Sequence, residues 1–269
     1  MALLPDRLRI AVLQWDIRTD QVEDNLKTAA GLVAVAKAQS AHLAVLPEMW
    51  TRSFCEGNLV VEALCYRERL EWCRSLAQEH QLWLGAGTIP EPADTAAEER
   101  VYNTFHLITP TGEVVLKYRK IHLFPNTGEP RFFLAGTTVP QPVTAGNWVI
   151  GAGICYDLRF PELFRRQMRQ GANVFVVPAQ FPRPREEHFT LLARARAMEN
   201  LAGLIAVNRS GSTPTLNFPG NSMVLDVWGN RLVEMTGSAG CAVAELDFPT
   251  LAKVRSDFPF LQDTPLLNP

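Results

Sequence analysis

The sequence predicts an α/β protein in which two mixed β-sheets pack on each other with helices outside. Three observations lead there. Apolar runs of strand length alternate with segments of helical periodicity along the 269-residue chain. Hairpin signals interrupt that alternation, which two packed mixed sheets explain and a single parallel sheet flanked by helices does not. Finally, AHLAVLPEMW (41–50) and ANVFVVPAQF (172–181) align without gaps, each a strand running into proline, so the chain reads as two related halves, the competing reading being that any two buried strands look alike.

The elements follow in order. Residues 8–14 (LRIAVLQ) form a buried strand, and 22–39 a helix with Val22, Leu26, Ala29, Ala30 and Val33 as its apolar positions. HLAVL returns as a strand and stops at Pro47. The pattern predicts one helix over 60–80, where Val60, Leu64, Leu70 and Leu76 are interleaved with charge, and then a strand at LWLGAGTI. Residues 102–109 and 113–119 flank Pro110-Thr111-Gly112, a hairpin signal. The Pro/Gly-rich stretch 125–145 reads as loop. Strand 148–154 precedes a helix starting near Pro161, where the missing proline N–H costs nothing. NVFVV is a strand, 187–200 a helix and GLIAVN a strand; 220–227, 231–236 and 240–247 are further β segments. No linker or low-complexity stretch divides the chain, so one domain over 1–269 is expected.

Composition removes several classes. With 47% hydrophobic and 20% charged residues, disorder, collagen-like repeats and coiled coil are excluded. A net charge of −2 supplies no field that would recruit nucleic acid or an anionic membrane. No apolar run reaches the ~18 residues of a membrane helix, and MALLPDRLRI lacks the features of a secretory leader. Five cysteines, at 55, 65, 73, 155 and 241, form an odd set with no C-x-x-C. That pattern predicts free thiols in a reducing, cytoplasmic setting.

The chain contains no G-x-x-x-x-G-K-[ST], G-x-S-x-G or H-E-x-x-H. Gly151 and Gly153 are followed by Tyr156 where a dinucleotide loop would want glycine. The histidines at 42, 80, 106, 122 and 188 have no ligand spacing, so neither a metal nor another cofactor is expected. His42 opens an apolar strand and reads as a satisfied core residue. Cys65 and Cys73 lie eight apart in the predicted helix and read as packing residues, Cys55 as a loop residue and Cys241 as part of a β segment.

Cys155 differs by place. It ends the apolar strand GAGIC, where α/β sheets present groups to a ligand crevice, and YDLRF follows. A thiolate there needs a cation from elsewhere, because the next helix starts about six residues on. On position alone, a buried structural cysteine remains the competing reading. Glu48 stands just past a buried strand in LAVLPEMW, and Lys120 at the end of a hairpin strand in VLKYRKIHLF. Each has a plain alternative, as a surface charge or an edge gatekeeper. If the strand ends meet, they assemble a base, a cation and a nucleophile suited to acyl transfer.

These segments resemble the carbon–nitrogen hydrolase (nitrilase) superfamily along about residues 8–263. LPEMW is similar to its glutamate segment, YRKIHLF to its lysine segment and GICYDLRFPE to its cysteine segment. ARAMEN (195–200), AVNRSG (206–211) and GNSMVLDVWG (220–229) resemble its later blocks. The resemblance implies an αββα four-layer sandwich, commonly paired into homodimers through the sheet-flanking helices. It implies a Glu48-Lys120-Cys155 triad, with the Tyr156 backbone N–H as an oxyanion donor. A second glutamate matches Glu129, seven residues before Gly136, although GEPRFFLAG departs from the commoner loop sequence.

The compact length and CYDLRFPE resemble the ω-amidase branch, which hydrolyses the terminal amide of small 2-oxo acids. Alternatives within the chemistry are a deaminated glutathione amidase and an N-carbamoyl amino acid amidohydrolase. The alternative of another class is a catalytically silent binding protein on the same fold, against which the retained triad stands. Arg159, Arg183 and Arg185 are the candidate partners for a substrate carboxylate.

Overall fold

The computed structural model describes residues 2–54, 59–95 and 98–263. Its first half runs β1 (Arg7–Gln14), α1 (Val22–Ala38), β2 (Leu43–Val45), α2 (Leu59–Leu64), α3 (Tyr66–His80), β3 (Trp83–Pro92), β4 (Val101–Ile108) and β5 (Val114–Arg119). The short strands β6 (Phe133–Leu134) and β7 (Val143–Ala145) follow. The second half runs β8 (Trp148–Ala152), α4 (Pro161–Arg169), β9 (Val174–Ala179), α5 (Glu186–Asn200), β10 (Gly203–Asn208), β11 (Ser210–Ser212), β12 (Asn217–Leu225) and β13 (Arg231–Thr236). β14 (Gly240–Asp247) and α6 (Phe248–Asp257) complete the order.

Each half builds a parallel trio joined by helices. β1 and β3 both pair parallel to β2, and β8 and β10 both pair parallel to β9. Antiparallel strands then extend each sheet, β4 and β5 in the first and β12 with β13 in the second. The two echoed sequence segments therefore contain the equivalent central strands β2 and β9. The orders are β14-β1-β2-β3-β4-β5, with β6 on β4, and β11-β12-β10-β9-β8-β7, with β13 on β12.

Alternation along β1 shows how the layers form. Ile10 and Val12 join the core between the sheets, together with Val45, Val174 and Val176. Ala11 and Leu13 point the other way, into a second core with Leu26 and Val33 of α1 and Leu76 of α3. On the far side, Phe164 of α4 meets Phe175 of β9 edge-on with ring centroids 5.2 Å apart. The layer order is helix, sheet, sheet, helix. β14 then crosses from the second sheet to the first and pairs antiparallel with β1 along its whole length, from Arg7 opposite Asp247 to Gln14 opposite Gly240.

Some sequence expectations are corrected. The helix expected over 60–80 is two helices that meet at Cys65, which stands as the N-cap of α3. Leu59 and Ala63 bury the apolar face of α2 beside Met49 and Phe133, which leaves Val60 and Leu64 exposed. The stretch 125–145 carries β6, β7 and 3-10 turns at Pro125–Thr127 and Glu129–Arg131, where each turn has proline in a position that suits it. The strand expected over 148–154 ends at Ala152, and the one over 220–227 spans Asn217–Leu225. β11 and α6 were not expected; Asp247 caps α6 by accepting from the Thr250 N–H at 3.0 Å. Cys55 lies outside the described residues.

Candidate active site

The site forms where several strands end together. Glu48 follows β2, Lys120 follows β5, Cys155 lies just beyond β8 and Gln180 follows β9. Glu48 and Lys120 are buried, as is Glu129, so neither a surface charge nor an edge gatekeeper describes the first two. The Lys120 ammonium lies 2.9 Å from Glu48 Oε1 and 2.7 Å from Glu129 Oε1. Asn103 Nδ2 donates to the same Glu48 oxygen at 2.8 Å, and the Gln180 N–H donates to Oε2 at 2.8 Å. Glu129, in its 3-10 turn, also accepts from the Phe124 N–H.

Local backbone chemistry sets these positions. The turn carrying Glu48 is pinned to β3, because the Met49 N–H donates to Thr88 Oγ1 and Trp50 Nε1 donates to the Ala86 carbonyl, both at 2.8 Å. Gly87 makes that approach possible. Its φ is +58°, and a Cβ there would stand 2.1 Å from the Pro47 carbonyl oxygen. Met49 and Cys155 both adopt φ of 47°, a left-handed conformation that side chains other than glycine rarely take. Cys155 opens a 3-10 turn through Arg159. Asp157 holds that turn by accepting from the Ile154 N–H at 2.8 Å and from the Tyr118 hydroxyl at 2.7 Å. Its other oxygen lies 2.7 Å from His122 Nδ1. One buried carboxylate thus joins Tyr118 and His122, two residues before and two after Lys120, to Ile154, the residue before Cys155.

Electrostatics assign resting protonation. Burial works against a charged Lys120, yet the carboxylates of Glu129 and Glu48 outweigh it and hold the ammonium well above its ordinary range. Burial raises Glu129 despite its contact with Lys120. Burial, then the charge of Glu48, pushes the Cys155 thiol well above its usual value, against the pull of Lys120 and the Gln180 N–H. Cys155 therefore rests as a thiol. Cys73 is pushed up to about 12 and Cys241 to about 11 by burial, so both are inert in neutral solution.

Glu48, Lys120, Glu129 and Cys155 line a cavity of about 450 Å³. Phe54, Phe124, Phe133 and Phe181 give it apolar walls. Tyr156, Arg159 and Arg185 also line it, and the Arg185 guanidinium lies over the Phe124 ring, 4.8 Å from its centre. Neither arginine pairs with a carboxylate among the described residues. Arg183, the third candidate, is outside the lining and lies 3.6 Å from Glu186. No cluster of His, Cys, Asp or Glu among the described residues is placed to hold a metal ion. His42 is satisfied as expected, with its Nδ1 accepting from the Arg9 N–H at 3.0 Å.

Sequence reasoning missed Asn103, Gln180 and Asp157. Asp157 stands inside the cysteine segment, and Gln180 inside the echoed segment, so both were in view without a role. Buried Arg209 was missed as well. It bonds Ser53 Oγ at 2.8 Å and Asp16 Oδ1 at 2.9 Å, and it reaches Gln180 Oε1 at 3.4 Å, bracing the floor under Glu48.

Known proteins resemble the chain in sequence and in fold. The chain is 34% identical over 257 residues to a 2-oxoglutaramate amidase of Bacillus subtilis, covering 94% of this chain and 96% of that one. It is 36% identical over 266 residues to a deaminated glutathione amidase of Synechocystis, covering 94% and 96%. A CN-hydrolase superfamily protein of Xanthomonas campestris, solved with an arsenic adduct in its active site, superposes with a TM-score of 0.87 at 28% identity over 96% of this chain and 97% of that one. An amidase mutant from Nesterenkonia, solved with acrylamide added to its active-site cysteine, superposes with a TM-score of 0.82 at 27% identity over 94% and 98%. The Carbon-nitrogen hydrolase pattern itself matches residues 9–256, so with its two stacked sheets and its cluster of strand-end side chains the chain belongs to the carbon–nitrogen hydrolase family.

Proposed function

We propose that this protein is a thiol-dependent amidase that releases ammonia from the terminal amide of a small 2-oxo acid such as 2-oxoglutaramate or 2-oxosuccinamate. The observation that carries it is the buried Glu48–Lys120–Glu129 cluster sharing one cavity with Cys155, with Arg159 and Arg185 on the wall. Glu48 takes the thiol proton as Cys155 adds to the amide carbonyl. Lys120 and the Tyr156 N–H hold the oxyanion, while Glu129 orients Lys120. Glu48 returns the proton to departing ammonia, leaving a thioester. Water activated by Glu48 then releases the acid.

The substrate class follows from charge. Arg159 and Arg185 supply the positive partner that a carboxylate entering an apolar-walled cavity needs. Glutamine and asparagine carry the same amide but add an ammonium that would face two guanidiniums. An unpaired buried charge costs several kcal/mol, enough for a preference of roughly 10²-fold. A second reading, hydrolysis of deaminated glutathione, draws on the Synechocystis relative and on the presence of two arginines, since that substrate carries two carboxylates.

The test is kcat/KM by ammonia or acid release across 2-oxoglutaramate, 2-oxosuccinamate, glutamine, asparagine, deaminated glutathione and an N-carbamoyl amino acid. The two 2-oxo acid amides are expected to lead. A tenfold lead for deaminated glutathione selects the second reading, and no turnover of any of them leaves a silent binding protein. We further propose a cytoplasmic homodimer. A reducing setting suits the free thiol. Exposed Leu191 and Met198 on α5, with Trp228 edge-on to Phe258, support pairing through the flanking helices.

A further inference from the structure

The two oxygens of Glu48 are occupied unequally. Oε1 accepts from Lys120 Nζ at 2.9 Å and from Asn103 Nδ2 at 2.8 Å. Oε2 accepts from the Gln180 N–H at 2.8 Å. Each carboxylate oxygen offers about two lone-pair directions. Oε1 is therefore filled, and Oε2 keeps one direction open. Oε1 is held from the first sheet, by Asn103 on β4 and Lys120 after β5, whereas Oε2 is held from the second, by the residue that follows β9, the neighbour of the β8 strand that leads to Cys155.

Asn103 is fully buried on β4, its backbone carbonyl accepts from the Lys120 N–H at 2.9 Å, and it does not line the cavity. Its Oδ1 is buried with no hydrogen-bond partner among the described residues. Stranding a buried carbonyl is unfavourable, so something must dictate the amide's orientation. The carboxylate does, because it only accepts and the amide must turn its NH₂ group to it.

Building on the reading of Glu48 as the base, we propose that Oε2 is the atom that takes the thiol proton, and that Asn103 is the positioning residue that fixes this choice. In the step, the S–H bond breaks and its proton goes to Oε2. The sulfur pair forms the S–C bond, and the carbonyl π pair moves onto the oxygen facing Lys120. On collapse the C=O bond re-forms, the C–N bond breaks with its pair left on nitrogen, and the proton passes from Oε2 to that nitrogen as ammonia leaves. Asn103 touches neither sulfur nor substrate. It keeps Oε1 engaged, so that Oε2 is left as the free acceptor.

The experiment compares wild type with Asn103→Leu, which keeps the bulk and removes the donor. For each, kcat, KM and the pH profile of kcat/KM are measured on the best amide, with the thermal midpoint as a check of folding. The expected result is a kcat about 10–100-fold lower with KM within about twofold. The acidic limb is expected to move to higher pH, since a donor to the carboxylate is lost. Asn103→Ser, which leaves a hydroxyl and room for a water to donate, should recover part of both effects, and it serves as the test if the leucine variant does not fold. An unmoved acidic limb, or a loss carried by KM, overturns the assignment. Glu48→Gln and Cys155→Ala run alongside: turnover in either refutes the Glu–Cys reading itself, whereas their silence together with a wild-type-like Asn103 variant refutes only this inference.

Discussion

Tyr118 and Asp157 are joined by a 2.7 Å hydrogen bond that ties the strand leading to Lys120 to the turn that begins at Cys155. Both side chains are buried, and the same hydroxyl accepts from the Ile121 N–H at 3.1 Å. The placement of Lys120 relative to Cys155 is thus tied by a contact that involves neither.

Tyr118→Phe removes that link while keeping the ring. A hydrogen bond to a charged group contributes about 1.5–3 kcal/mol, so stability should fall by about that much and kcat by roughly tenfold. Urea unfolding and steady-state kinetics on the same preparation check both. Full activity in a destabilised variant would mean that the bond holds the fold and not the site.

Cys155→Ala should abolish turnover in a folded protein, whereas Cys73→Ala and Cys65→Ala should retain it. Burial comes first among the causes that raise the Cys155 thiol, and the charge of Glu48 second. Glu48→Gln should therefore lower the pH midpoint for alkylation by iodoacetamide while turnover is lost. Lys120→Met should raise that midpoint. Mass spectrometry of the modified chain against pH separates the two.

Gly87→Ala tests the approach of the Glu48 turn to β3. The new methyl would meet the Pro47 carbonyl at 2.1 Å, in a backbone conformation that alanine resists. The expected cost is about 2–4 kcal/mol, with kcat falling more than KM rises because the displaced residue is next to Glu48. A thermal melt and kinetics measure both.

His106 predicts an acid limb of stability. Burial lowers its pKa from the ordinary value to about 3. It is held neutral when folded and takes a proton when unfolded, so its contribution is complete above about 6.5. That contribution is lost as pH falls toward the folded value, by about 1.4 kcal/mol per unit. His106→Gln should shrink the difference in unfolding free energy between pH 7 and pH 5 by about 2 kcal/mol. Denaturation at the two pH values decides it.

The layers and the three strand-end residues were legible because both depend on local pattern. Period-two burial along LRIAVLQ separates Ile10 and Val12 from Ala11 and Leu13 without any partner being known. Glu48, Lys120 and Cys155 each interrupt an apolar run at its end, and the surrounding segments resemble one family. Asn103 and Gln180 were illegible for a physical reason. One contributes through an amide that only a buried carboxylate orients, the other through a backbone N–H that every residue but proline has. The helix over 60–80 failed because apolar spacing carries no sign of the break at Cys65. The partner of β14 was hidden too, since β1 is almost the whole chain away.

That pairing has a consequence for how the molecule comes to be folded. The first sheet lacks its outer neighbour on the β1 side until residues 240–247 arrive. During synthesis on a ribosome, β1 waits as an apolar open edge through the production of nearly all the remaining chain. Such long-range closure is slow and leaves an edge available to other nascent chains. Truncation before Gly240 should accordingly yield aggregates in place of a smaller folded protein, and cells must shield β1 until its last neighbour is made.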